Sequence, residues 1–244
     1  MDKKAQIAFM IIAAVFIAIV AALVIYAANH FRNKNSAEPL VFEKTSIENY
    51  ISSCIKKTAE DGLRLLGRQG IIVLDSYLQA PNSGVEYYLY GNQSRVPSIG
   101  KLQSQLSDYM NLNINDCLRD FEDFQSQGWD VEKGSANSNA QINQNDVLFE
   151  VELPLKVASQ GSQLNFERFS SLVNVRLKYI YDLAVKIADL NSKIPASVDR
   201  TDLSSYDINV TVFPYKDSIV YDIRDSKSLV MSKPYAFRLA LNFG

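Results

Sequence analysis

The chain has 244 residues, 47% of them apolar, with 25 basic and 27 acidic side chains for a formal net charge of −2. That balance argues against a nucleic-acid binder, which would carry a basic patch or stripe, and the apolar share is that of an ordinary folded protein. The basic residues are not evenly spread. Residues 1–36 hold Lys3, Lys4, Arg32 and Lys34 against Asp2, which leaves 21 basic and 26 acidic residues, a net of −5, in 37–244. An acidic domain of this kind does not dock electrostatically on anionic lipid.

Residues 1–6 form a short basic tail. From Ile7 to Ala28 there is no charge, and Tyr26 alone carries a polar side-chain atom. Ile, Ala, Val, Leu and Phe cover every helical face of this run, so no polar stripe marks it as a surface helix of a soluble domain. At about 1.5 Å per residue it reaches roughly 33 Å, enough to cross a hydrocarbon core of about 30 Å. The expectation is a transmembrane helix over 7–28 that contacts the lipid bilayer. The run is longer than the apolar core of a cleaved signal peptide, although Ala27-Ala28-Asn29 resembles a cleavage site. Residues 29–45 read as a linker, polar up to Pro39, which cannot continue a helix from the membrane.

Residues 46–244 read as one α+β extracytoplasmic domain of three helices and seven or more short, mostly antiparallel strands. Helical spacing begins near Ser46, with Ile47, Tyr50, Ile51, Cys54, Ile55, Thr58, Gly62, Leu65 and Leu66 on one face. Gly67 and Gly70 supply its stop. Ile71 to Tyr77 and Val85 to Tyr90 read as strands around the turn Pro81-Asn82-Ser83-Gly84. A second helix over about 98–124 turns Leu102, Leu106, Tyr109, Met110, Ile114, Cys117, Leu118 and Phe121 inward. Residues 134–145 are polar and are expected to be mobile, with Asn143-Gln144-Asn145-Asp146 as a hairpin turn. Val147 to Leu155 alternates as a half-buried strand, and another strand follows around Leu164, Phe166 and Phe169. A third helix is predicted over 172–191, then strands near 206–213, 218–224 and 235–243.

Cys54 and Cys117, the two cysteines of the chain, both fall at apolar helical positions. Two readings are open: separate buried thiols, which are common core residues, or a disulfide, which an oxidising compartment would form. The disulfide would close a loop of about 64 residues, worth roughly 4 kcal/mol in the chain-entropy account. We take the disulfide as the working expectation, and with it an N-inside, C-outside topology, because basic residues flank both ends of the apolar run and decide little. Asn92-Gln93-Ser94 and Asn209-Val210-Thr211 would be glycosylation acceptors on that side.

The chemistry-bearing residues point away from an enzyme. The one histidine, His30, lies just beyond the apolar run beside Arg32, so triads that need a histidine near the nucleophile are excluded from the domain. One histidine and two cysteines do not make a zinc site, no phosphate-binding glycine loop is present, and no cofactor is expected. Glu122 with Asp123, or Asp222 with Asp225, could form the acid–base pair of a carboxylate-dependent envelope hydrolase; the plain reading is structural charge. Tyr77, Tyr87, Tyr88 and Tyr90 offer a partner surface or are simply good strand residues.

Two resemblances carry further. Lys3-Lys4-Ala5-Gln6 ahead of the apolar helix resembles the processing site of archaeal type IV prepilins, with alanine where glycine is usual and Met10 where many pilins carry glutamate. This implies cleavage after Ala5 and self-assembly through the apolar helix. Over most of the chain up to about residue 200, the sequence is similar to membrane-anchored surface proteins of small-genome, woesearchaeal-type archaea. The shared residues are the Lys-Lys-x-Gln anchor, Cys54, Gly67-x-Gln69-Gly70, the strand ending at Tyr90, Pro97-Ser98, Cys117, Phe121, Phe124 and Gly128. Ile71 replaces a frequent second glycine, and that family's cysteine-containing C-terminus is lacking. The resemblance implies a surface address and paired cysteines, not a reaction.

Overall fold

The computed structural model describes residues 19–26, 38–73, 75, 77–80, 83–159, 161–193, 203 and 205–244. Most of the expected transmembrane segment, the basic tail with Lys3, Lys4, Ala5 and Gln6, and His30 lie outside these residues. Residues 19–26 are helical, and Ile19, Leu23, Val24 and Ile25 are each more than half exposed. Among the described residues no helix is long and apolar enough to cross a membrane.

The chain divides into two compact units, Met1–Asn49 and Tyr50–Gly244. Helix α1, Glu38–Gln69, begins eight residues earlier than the expected start at Ser46. Pro39 falls in its first turn, where a missing N–H is tolerated because that amide has no helical partner.

In the second unit the fold is α+β. Helix α2 spans Ile99–Leu118 and helix α3 spans Leu177–Lys193. One sheet is built from β1 (Tyr77–Ala80), β2 (Ser83–Tyr90), β3 (Gln93–Ser94), β8 (Asn209–Tyr215), β9 (Ser218–Val230) and β10 (Lys233–Asn242) in the order β1-β2-β10-β9-β8, with β3 beside β2. The β2–β10 pair is parallel and the others are antiparallel. A second, antiparallel sheet has β6 (Val147–Ser159) at its centre. Strands β4 (Asp130–Lys133) and β5 (Asn137–Ile142) lie end to end along one side of β6, and β7 (Ser162–Val173) runs along the other.

The period-two reading of β6 holds over its full length. Val147, Phe149, Val151, Leu153, Leu155 and Val157 are all buried, and the residues between them are more exposed. The helices bury the stripes that their spacing implies: Ile51, Ile55, Ala59, Leu63 and Leu66 on α1, Leu102, Leu106, Met110 and Ile114 on α2, and Ile180, Leu183, Ala184 and Ile187 on α3.

Three local expectations are corrected. Residues 134–145 include the ordered strand β5, although Asn137-Ser138-Asn139 has poor strand propensity. Helix α2 supplies the reason. Its Ser107 hydroxyl accepts from the Ala140 amide at 2.9 Å, and the side-chain oxygen of its Gln103 accepts from the Ile142 amide at 3.3 Å. The helix thus satisfies the donors that an edge strand leaves open. The predicted strand from Ile71 is instead a bend over 71–73, because the amides of Ile72 and Val73 both donate to the side-chain oxygen of Gln105. The third helix starts at Leu177, since Leu172 and Val173 complete β7.

Candidate functional site

The most distinctive construction lies where α1 meets the end of α2. Cys54 and Cys117 form a disulfide, with Cα atoms 5.5 Å apart. Beside it the Tyr50 hydroxyl donates to the carbonyls of Cys117 and Leu118, at 3.1 and 2.9 Å. These are the end carbonyls of α2, which lack helical partners. The chain then passes through three successive left-handed residues, Arg119, Asp120 and Phe121, with φ of 44°, 48° and 61°. Each costs about 1–2 kcal/mol in a residue with a side chain, so the surroundings must hold the turn. Phe121 is buried against Tyr50 and Phe124, with ring centroids 5.8 and 6.2 Å away. Lys133, on β4, donates to the side-chain oxygens of Asn115 and Asp120, both at 2.8 Å. The predicted helix over 98–124 is therefore interrupted at Leu118, and a short helical turn, Glu122–Gln125, follows.

The glycines that read as a helix stop also permit close contact. A side chain at Gly67 would collide with the Ala236 carbonyl of β10. Gly70 has φ of +80°, and an added Cβ would sit 2.5 Å from the Arg238 carbonyl. The end of α1 thus lies directly on β10. Tyrosine hydroxyls secure it: Tyr235 donates to the Leu63 carbonyl at 3.0 Å and Tyr88 to the Gly70 carbonyl at 2.8 Å. Burial raises the pKa of both phenols, so they remain neutral donors.

The candidate tyrosine surface is therefore split. Tyr88 is fully buried and serves the core. Tyr87, 8% exposed, lies within 3.2 Å of the Ser218 hydroxyl and packs with Val85 and Ala240. Tyr90 is 48% exposed, with the Arg95 guanidinium 5.2 Å from its ring centre. The strand that carries Tyr77 is described, but its side chain lies outside the described set. Of the three tyrosines whose side chains are described, Tyr90 alone is available to a partner.

The candidate carboxylates also separate. Glu122 and Asp123 are exposed on the short turn. Asp222 is buried and is held by Arg224 at 3.0 Å and Arg238 at 3.1 Å. Asp225, fully buried, receives both arms of Arg176, at 2.9 and 2.6 Å, together with the Ser228 hydroxyl and the Lys227 amide. Burial pushes the Asp225 pKa up, but these hydrogen bonds and the Arg176 charge outweigh it, so the net shift is downward. Each aspartate is thus neutralised by its own guanidinium partners, and neither stands as an unpaired acid or base of the kind an acid–base pair requires. Arg176 and Asp225 are 49 residues apart, and nothing in their sequence context marks them as partners. Among the described residues no group of three or more His, Cys, Asp or Glu side chains could hold a metal ion.

A groove of about 390 Å3 runs between the end of α1 and the β9–β10 hairpin. Arg64, Arg68, Lys233 and Arg238 line it, with Met231 and Tyr235 among its apolar residues. Two of these cations are already answered, Arg64 by Asp61 and Arg238 by Asp222. The chain matches no protein-family model, and no curated protein sequence and no solved structure is significantly similar to it.

Proposed function

We propose that the chain is a single-pass membrane protein whose α+β domain lies outside the cytoplasm and, without catalysing a reaction, binds a partner or contributes to envelope structure. The Cys54–Cys117 disulfide carries this reading, because such bonds persist in oxidising compartments and are rare in the reducing cytosol. The uncharged run from Ile7 to Ala28 supplies the anchor, and the exposed apolar side chains of the helical residues 19–26 suit lipid. The resemblance to membrane-anchored archaeal surface proteins points the same way.

A membrane-impermeant thiol reagent applied to intact cells tests the topology. Labelling of Cys54 and Cys117 only after treatment with an impermeant reductant and mild denaturation is the expected result. Labelling that needs permeabilised cells and no reductant would place the domain in the cytoplasm and defeat the proposal.

The Lys3-Lys4-Ala5-Gln6 sequence favours a second reading, a pilin-like subunit cleaved after Ala5. The mass of the mature N-terminus separates the two: a chain beginning at Gln6 supports the pilin, and one beginning at Met1 or Asp2 removes it.

A further inference from the structure

Among the described strands at sheet edges, β7 stands apart. β5 is capped by Gln103 and Ser107. β1 and β4 have four residues each and β3 has two, and β8 carries Pro214, which has no amide to offer. β7 has 12 residues and no proline or lysine, and among the described residues it pairs with β6 alone. Alternate residues of such an edge present unpaired N–H and C=O groups outward, a template for another strand.

We propose that β7 pairs antiparallel with β7 of a second copy of this chain, about a two-fold axis centred between Glu167 and Arg168. An interface between identical copies must be self-complementary, and β7 is so in burial and in charge. From Gln163 to Leu172 the sequence of exposed, intermediate and buried residues reads the same in both directions. Phe166 and Phe169 are both buried, although residues three apart in a regular strand face opposite ways. The register shift opposite Glu152 to Leu155 allows this.

Full overlap of Ser162–Val173 with its copy sets Phe166 opposite the partner's Phe169 and Asn165 opposite the partner's Ser170. It also sets exposed Glu167 opposite the partner's Arg168, and the reverse pair by symmetry. Opposite charges facing across a strand pair stabilise it. The result is a continuous sheet through both copies. The inference names the partner that the surface-domain reading leaves open and rests on that reading for the compartment in which the edges meet. It is tested on purified protein, whereas topology is tested on cells, so the two can fail separately.

The test uses the full chain in detergent micelles. Within one strand residues 165 and 170 are roughly 16 Å apart, too far for a disulfide, whereas in the proposed pair the opposed Cα atoms lie about 5 Å apart. Asn165→Cys/Ser170→Cys should therefore give a covalent dimer on mild oxidation, and the out-of-register pair Gln163→Cys/Ser170→Cys should not. Glu167→Arg sets like charges opposite each other and should weaken the dimer about tenfold, and Glu167→Arg/Arg168→Glu should restore it. Thermal unfolding of each variant confirms that it is folded. A monomeric wild-type chain overturns the proposal. So does cross-linking no faster than the out-of-register control, or a dimer indifferent to both charge variants.

Discussion

Reducing the Cys54–Cys117 bond should lower the melting temperature of the folded domain by about 10 °C. The two cysteines are 63 positions apart, so the bond closes a loop of about 64 residues in the unfolded chain. The chain-entropy relation gives a lost entropy of about 14.5 cal/mol/K, or about 4 kcal/mol at 25 °C. For a domain of this size each kcal/mol moves the melting temperature by about 2–4 °C. The native state loses little else, since Cys54 stays buried as a thiol and the Tyr50 hydroxyl still holds the end of α2. The assay is thermal unfolding of the full chain in micelles, with and without reductant, alongside Cys54→Ala/Cys117→Ala. Reduced wild type and the double variant should shift together, with the variant slightly lower because it also loses buried sulfur. A shift below about 3 °C would mean that the helix contacts already restrain the unfolded ensemble and that the loop-closure reasoning fails.

Arg176→Met should cost about 3 kcal/mol at pH 7, because it leaves Asp225 buried without its counter-charge. In the wild type the Asp225 pKa lies below the ordinary carboxylate value. Its contribution is therefore complete above the unfolded pKa of about 3.9 and is lost as pH falls through the lower folded value. In the variant burial dominates and the pKa rises, so the deficit should narrow as pH falls towards 4; a deficit independent of pH in denaturant titrations would contradict the assignment. Gly70→Ala should destabilise by about 2–4 kcal/mol, from its left-handed backbone and the collision with the Arg238 carbonyl, and a loss under about 0.5 kcal/mol would show that α1 can lift off β10. Arg119→Gly should instead stabilise by about 0.5–1 kcal/mol, since glycine adopts the observed φ of 44° without a Cβ penalty. An unchanged or lower denaturation midpoint would mean that the arginine side chain contributes more than the strain it imposes.

Features that repeat along the chain can be read from the order of its residues alone. The apolar stripes of α1, α2 and α3 and the alternation of β6 follow from spacing, because a buried face must recur with the period of its element. The α+β class and the Asn143–Asp146 turn were legible in the same way, whereas the positions of Cys54 and Cys117 left buried thiols and a disulfide both open, and the structure joins them. Boundaries were less so. Helix α1 reaches back past Pro39, and α2 stops at Leu118 in a left-handed turn that no glycine announces, because Phe121, Tyr50 and Lys133 hold it from outside.

Whatever depends on partners distant in the chain emerges only when the fold brings them together. Asn137–Ile142 is a strand because α2 caps its edge, and Ile71–Val73 is not one because Gln105 takes its amides. Four tyrosines that looked alike divide into a core donor at Tyr88, a shielded packing residue at Tyr87 and an exposed ring at Tyr90, while the Tyr77 side chain lies outside the described residues. Asp225 looked like a candidate acid and became the anchor of Arg176, 49 residues away. A period reports which face of an element is buried; it carries no record of which distant group comes to meet that face.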